Sequence, residues 1–150
     1  MFNSQQLTLA DSFSPHRIHT RHKQNGSKSK RRKPLVLVVD DERLIADTMT
    51  EILRRCGFHA VCAYEGKSAL ELARHNAPDF VLTDVVMPVM NGVELAIEIR
   101  KVLPDTEVIL LSGQAGISDI LSNGREKGYS FELFAKPVHP EKLLKRLKGE

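Results

Sequence analysis

From residue 35 onward the chain alternates between short apolar runs and longer amphipathic stretches. The runs are Leu35–Val39, Ala60–Ala63, Phe80–Leu82, Val108–Leu111 and Phe131–Ala135. They are short and rich in β-branched or aromatic residues, which predicts strands rather than helix turns. The stretches between them have helical spacing. The first puts Ile45, Met49, Ile52, Leu53 and Cys56 on one face and stops at Gly57. The second covers residues 67–75. The third covers 93–103 and stops before Pro104. A weaker one, interrupted by glycine, covers 117–127. The last covers 141–148, after Pro140 at a first helical position. Five strand–helix units of this kind predict an α/β fold, (βα)5, with a parallel five-stranded sheet covered on both faces. Right-handed crossovers make such a sheet doubly wound. Ligands of these sheets sit beyond the carboxyl ends of the strands. The chemistry of the chain is therefore sought at the strand ends.

Charge divides the chain in two. The formal net charge is +3. Residues 1–33 hold eight Lys/Arg and one acid, Asp11, whereas residues 34–150 hold fourteen Lys/Arg and eighteen acids. The first segment is thus +7 and the second −4, so a basic isoelectric point describes the first 33 residues and not the predicted fold. Residues 1–33 show no sustained apolar period and are read as a basic, disordered N-terminal tail; residues 34–150 are read as the folded domain. The run Lys28-Ser29-Lys30-Arg31-Arg32-Lys33 reads as a solvated linker, with a contact to nucleic acid, anionic lipid or an acidic partner as the sharper alternative. His16, His19 and His22 are evenly spaced but lack further ligands for zinc. No apolar run is long enough to span a bilayer, and no apolar segment follows a basic N-terminus as in a secretory signal. Cys56 and Cys62 form no CxxC and cannot staple a fold, so a cytoplasmic location is expected.

The first strand ends in Asp40-Asp41, the third in Thr83-Asp84, the fourth in Ser112-Gly113 and the fifth in Lys136-Pro137. Each pair has an ordinary reading alone: a helix cap, an Asx turn, a tight turn, a solvated lysine. Together they bring three carboxylates, a hydroxyl and an ammonium to one edge. Clustered carboxylates repel one another, and a hard divalent cation such as Mg2+ relieves this. A carboxylate can also attack phosphorus to give an aspartyl phosphate. A cation and an ammonium would then neutralise charge on the transferring group.

These motifs resemble the receiver domain of two-component response regulators. The resemblance rests on the acidic pair in LVLVVDDE, on DVVMPVMNGVEL, on the serine in VILLSG and on the lysine in AKP, and spans residues 35–148. It implies a flavodoxin-like fold with strand order 2-1-3-4-5. It implies that Asp84 accepts a phosphoryl group from a phosphohistidine of a sensor histidine kinase or phosphotransfer protein. It further implies Mg2+ on Asp41, Asp84 and the Val86 backbone carbonyl, with Asp40 acting through a metal-bound water. Lys136 would pair with the phosphoryl group, and Ser112 would swing in to hydrogen-bond it. The Lys136-Pro137 peptide is expected to be cis, Pro88 and Gly92 to shape the loop after the acceptor, and Asn91 to cap the third helix. The protein would be a stoichiometric switch and not an enzyme, changing its surface toward an unknown downstream protein. A phosphorylation-dependent dimer is a further arrangement the resemblance leaves open. No DNA-binding domain, output domain or nucleotide-binding glycine loop is expected.

Two features sharpen the reading. Family members usually carry an aromatic switch residue three positions before the lysine; here Leu133 stands there, with Phe131 and Phe134 nearby, so either Leu133 takes the role or the register is shifted. Val86 and Gln114 flank the path of a hydrolytic water, and the apolar Val86 cannot orient it, which predicts slow self-dephosphorylation. Two alternatives compete. A degenerate receiver would bind partners without phosphorylation, against which the complete Asp/Asp/Asp/Ser/Lys set argues. A phosphatase of the haloacid dehalogenase type would need an Asp-x-Asp after the first strand, and Asp40 and Asp41 are adjacent.

Overall fold

The computed structural model describes residues 31–150. Strands and helices alternate: β1 (Leu35–Val39), α1 (Arg43–Arg55), β2 (His59–Ala63), α2 (Gly66–Asn76), β3 (Phe80–Asp84), α3 (Gly92–Val102), β4 (Glu107–Ser112), α4 (Ser118–Glu126), β5 (Glu132–Ala135) and α5 (Pro140–Lys148). The five strands form one parallel sheet in the order β2-β1-β3-β4-β5. Strand order reverses between β1 and β3, which is where a doubly wound sheet opens its ligand crevice. The expected disorder of residues 1–33 falls almost wholly on residues 1–30, outside the described residues. Arg32 to Glu150 form one compact unit. Arg32 donates to Asp79, whose other carboxylate oxygen accepts the Leu35 N–H at 2.7 Å, fixing the start of β1.

Two apolar clusters sandwich the sheet. On one face Val36, Val38, Leu82, Ile109 and Phe134 meet Ala46 and Leu53 of α1 and Leu143 and Leu147 of α5. On the other, Leu37, Val39, Val81 and Leu110 meet Ala69 and Ala73 of α2 and Val93, Leu95, Ala96 and Ile99 of α3. The central strands β1, β3 and β4 are buried along almost their whole length; the edge strands β2 and β5 are not. Burial on both faces is why the central strands read as unbroken apolar runs.

Several details differ from the sequence reading. In α1 the buried residues are Ala46, Thr50 and Leu53, while Ile45 and Ile52 are more than a third exposed. Small residues lie beneath the helix where it approaches the sheet, and the bulkier isoleucines are turned outward. Phe131 precedes β5 instead of opening it. Asp40 and Asp41 do not cap α1. Its N-cap is Glu42, and Asp40 instead accepts the Glu42 N–H at 3.0 Å. The α3 expectation holds: Asn91 and Glu94 form a reciprocal capping box, at 2.9 and 3.1 Å. Such a cap contributes about 1 kcal/mol and fixes where the loop after β3 ends.

Candidate phosphoacceptor site

Because β1, β3, β4 and β5 are consecutive neighbours, their four carboxyl-terminal motifs lie side by side along one rim. Carboxylate oxygens of Asp40, Asp41 and Asp84 lie within 4.8 Å of one another. Asp40 is buried, Asp84 half-buried and Asp41 exposed, so the cluster opens to solvent on the Asp41 side. Lys136 reaches in from the end of β5. Its Nζ donates to Asp40 Oδ2 at 2.8 Å and lies 3.6 Å from Asp84 Oδ1. The Lys136-Pro137 peptide is cis, as expected.

The electrostatics follow from this crowding. Burial pushes the Asp84 carboxyl above the usual carboxylate range; the Asp40 and Asp41 charges add to this, while Lys136 and the Val85 N–H oppose it. Burial pulls the Lys136 ammonium down, but its hydrogen bond to Asp40 and the charges of Asp84 and Asp40 outweigh that and hold it above the ordinary lysine value. The lysine is therefore a fixed positive charge, and burial disfavours the charge on Asp84.

The loop after β3 is built against Asp84. The Val85 N–H donates to Leu111 O at 3.0 Å and the Gly92 N–H to Val85 O at 2.8 Å. A Cβ built on Gly92 would collide with the Asp84 carbonyl oxygen, so only glycine lets α3 begin here. Thr83, fully buried, donates its hydroxyl to the same carbonyl at 3.0 Å, a contact with no signal in the sequence. Val89 takes a left-handed φ of 69° and points into solvent, within a tight turn closed by Met90 N–H to Pro88 O at 2.8 Å. Val86 is partly buried against the core.

Ser112 is buried at the end of β4, and its Oγ accepts the Gln114 N–H at 3.3 Å. The pairing of β4 with β5 sets Leu110 against Leu133, Leu111 against Phe134 and Ser112 against Ala135, and the Lys136 N–H donates to Ser112 O at 2.8 Å. The pairing thus runs without a bulge from Leu133 to Lys136. Leu133 occupies the position three before the lysine, about two-fifths exposed, beside a cavity of about 70 Å³ lined also by Val93, Leu121, Gly124 and Tyr129. Phe134 is buried on the opposite face, and Phe131 packs against the α2–α3 cluster, stacked on Tyr129.

The profile of the response regulator receiver domain matches residues 36–148. The chain belongs to that family. Among solved structures, this receiver domain is similar to a CheY-like response regulator receiver domain protein from Methanospirillum hungatei JF-1, with 26% identity and a TM-score of 0.70 over 79% of this chain and 93% of that one. It is similar to the chemotaxis protein CheY4 of Vibrio cholerae, with 28% identity and a TM-score of 0.67 over 79% and 98%. It is also similar to a response regulator receiver domain protein from Clostridium thermocellum, with 30% identity and a TM-score of 0.69 over 77% and 92%. A receiver of this kind implies phosphorylation-based signalling in a two-component system. Among the described residues no helix is long and apolar enough to cross a membrane.

Proposed function

We propose that this receiver takes a phosphoryl group onto Asp84 from a phosphohistidine of a sensor kinase or phosphotransfer protein, and that the modification changes its affinity for a downstream protein. The observation that carries the reading is Lys136 Nζ between Asp40 and Asp84, over three carboxylates drawn to within 4.8 Å. A lone surface carboxylate has no such machinery.

The donor set suits Mg2+: hard carboxylate oxygens, one buried, one half-buried and one open to water. Asp41, Asp84 and the Val86 carbonyl would hold the ion, and Asp40 would act through one of its waters. When bound, Mg2+ would offset charge on the phosphoryl oxygens. The Asp84 carboxylate attacks phosphorus and displaces the donor's imidazole; Lys136 stays protonated and leaves Asp40 for the incoming phosphoryl oxygen. The modification adds roughly −1.5 to −2 of charge, by analogy with other phosphoryl groups. Ser112 turns toward it, breaking its bond with the Gln114 N–H, and the β4–α4 segment follows. Helix α4 suits this role, since Gly124 is its sole fully buried residue and Ile120 and Leu121 are only partly buried against the core. Leu133, two residues back along β5 from the partner of Ser112, fills the cavity beside it as the surface of α4, β5 and α5 shifts population.

The protein is modified once per chain and does not turn over a substrate. With Val86 unable to hydrogen-bond a water beside Asp84, self-dephosphorylation is slow. We place the reaction in the cytoplasm, where a kinase would meet it. Incubation with Mg2+ and acetyl phosphate tests the reading by intact mass. Wild type gains about 80 Da, one phosphoryl group, and Asp84→Ala gains nothing. An unmodified wild type would favour a phosphorylation-independent binding module, to which the non-aromatic Leu133 already lends some support.

A further inference from the structure

Arg43 opens α1 two residues after Asp41, and Tyr64 follows β2 directly. The Asp40 N–H donates to Ala63 O at 3.2 Å, so both residues stand on the rim of the acidic pocket. An arginine four residues before an aspartate on a helix is within reach of pairing with it. Arg43 and Asp47 do not: among the described residues Arg43 makes no ion pair. Its guanidinium lies 4.3 Å from the centroid of the Tyr64 ring. Asp47 is engaged elsewhere, accepting the Tyr64 hydroxyl at 2.6 Å and the Cys62 thiol at 3.4 Å. Tyr64 thus acts on both: its ring seats the cation, and its hydroxyl holds Asp47 through Oδ1, turned to the tyrosine instead of the arginine.

We propose that Arg43 is a rim cation that draws an anionic phosphodonor into the acidic pocket, and that Tyr64 is the positioning residue that keeps it free to do so. The proposal rests on the phosphoacceptor reading of Asp84. The pocket needs such help. Three carboxylates lie within it, and Glu42 and Glu65 are exposed beside it. Even with Lys136 and a bound Mg2+ set against the five carboxylates, the rim stays net negative, and a phosphodonor dianion approaching it is repelled. One unpaired guanidinium at the entrance, on the order of 10 Å from the incoming group, changes the local concentration of a dianion about two- to fourfold in water. The stacked seat on Tyr64 keeps this charge at the entrance, because a guanidinium lies flat on an aromatic face without losing its charge.

The test is the rate of phosphorylation by acetyl phosphate with Mg2+, followed by intact mass from low to high ionic strength. Arg43→Gln slows the gain about two- to fourfold at low salt, and the difference closes near 1 M salt, where screening acts within about 3 Å. Tyr64→Leu keeps the arginine but frees Asp47 to pair with it, and shows a similar loss. Adding Asp47→Asn to Tyr64→Leu removes the competing carboxylate and recovers part of the rate, the remainder being lost with the aromatic seat. A merely structural role for the cluster predicts the opposite, a double variant worse than either single one. Equal rates for Arg43→Gln and wild type at low salt, a deficit that ignores salt, or no recovery in the double variant would overturn the proposal. A wild-type chain that gains no mass overturns the phosphoacceptor reading itself, and this one with it.

Discussion

Lys136 and Asp40 are 96 residues apart in the chain and 2.8 Å apart in the fold. The contact crosses from the end of β5 past β4 and β3 to the end of β1, and Asp84 lies under it, 3.6 Å from the same ammonium. Without a divalent ion, the lysine is the cation that bridges two of the three carboxylates.

Removing that ammonium separates its two roles. Lys136→Ala leaves the carboxylates uncompensated, so Mg2+ binds more tightly than to wild type. Phosphorylation by acetyl phosphate nonetheless slows by roughly 10²-fold, the usual cost of losing a fixed charge aimed at a reacting group. Titration of Mg2+ by calorimetry and phosphorylation kinetics on the same preparations check both. Weaker Mg2+ binding in the variant would contradict the compensation argument.

Asp84 has a pH signature in the metal-free chain. Burial, then Asp40 and Asp41, raise its folded pKa above the unfolded value despite Lys136. Between those two values the folded state holds more protons than the unfolded one, so stability falls as pH rises through the window. Above the folded value that loss is complete. Asp84→Asn is therefore more stable than wild type at neutral pH, and the gap closes below the ordinary carboxylate range. Denaturant unfolding in EDTA across pH measures this; equal midpoints at neutral pH would count against it.

Much of the fold was legible because central parallel strands are buried on both faces and must be apolar throughout. The (βα)5 alternation and the strand-end placement of Asp40, Asp41, Asp84, Ser112 and Lys136 both follow from that pattern. The buried face of α1 was legible only in part: Met49, Leu53 and Cys56 pack against the core as expected, but periodicity weights Ile45 and Ile52 by size, whereas the closely packed sheet selects Ala46 and Thr50. The register at Leu133 depended on pairing with Leu110, a contact between chain segments that no local pattern records. The Arg43–Tyr64–Asp47 cluster was invisible for the same reason. Its members look like ordinary solvated residues until β2 is laid beside β1.

Gly92 couples the acceptor to α3. Gly92→Ala drives its new methyl into the Asp84 carbonyl, and either the β3–α3 loop or the acceptor must move. We expect a stability loss of about 1–3 kcal/mol, the common range for overpacking, together with slower phosphorylation. Chemical denaturation and the acetyl phosphate reaction read the two effects. A variant with wild-type stability would show that the loop yields freely.

Val86 sets the lifetime of the modified state. Val86→Asn supplies a side chain that can hydrogen-bond a water beside the phosphoryl group, and shortens that lifetime by roughly tenfold or more. The decay of the heavier species after the donor is removed gives the number. Complete loss of phosphate within seconds in wild type would contradict the slow-hydrolysis reading.

The central claim is that one carboxylate, Asp84, carries the phosphoryl group. An acyl phosphate is reduced by borohydride to an alcohol, so the modified aspartate becomes homoserine at a position peptide mass analysis can locate. After treatment with Mg2+ and acetyl phosphate, homoserine is expected at residue 84 and at no other acid. Homoserine at Asp40 or Asp41, or none anywhere, would contradict the account.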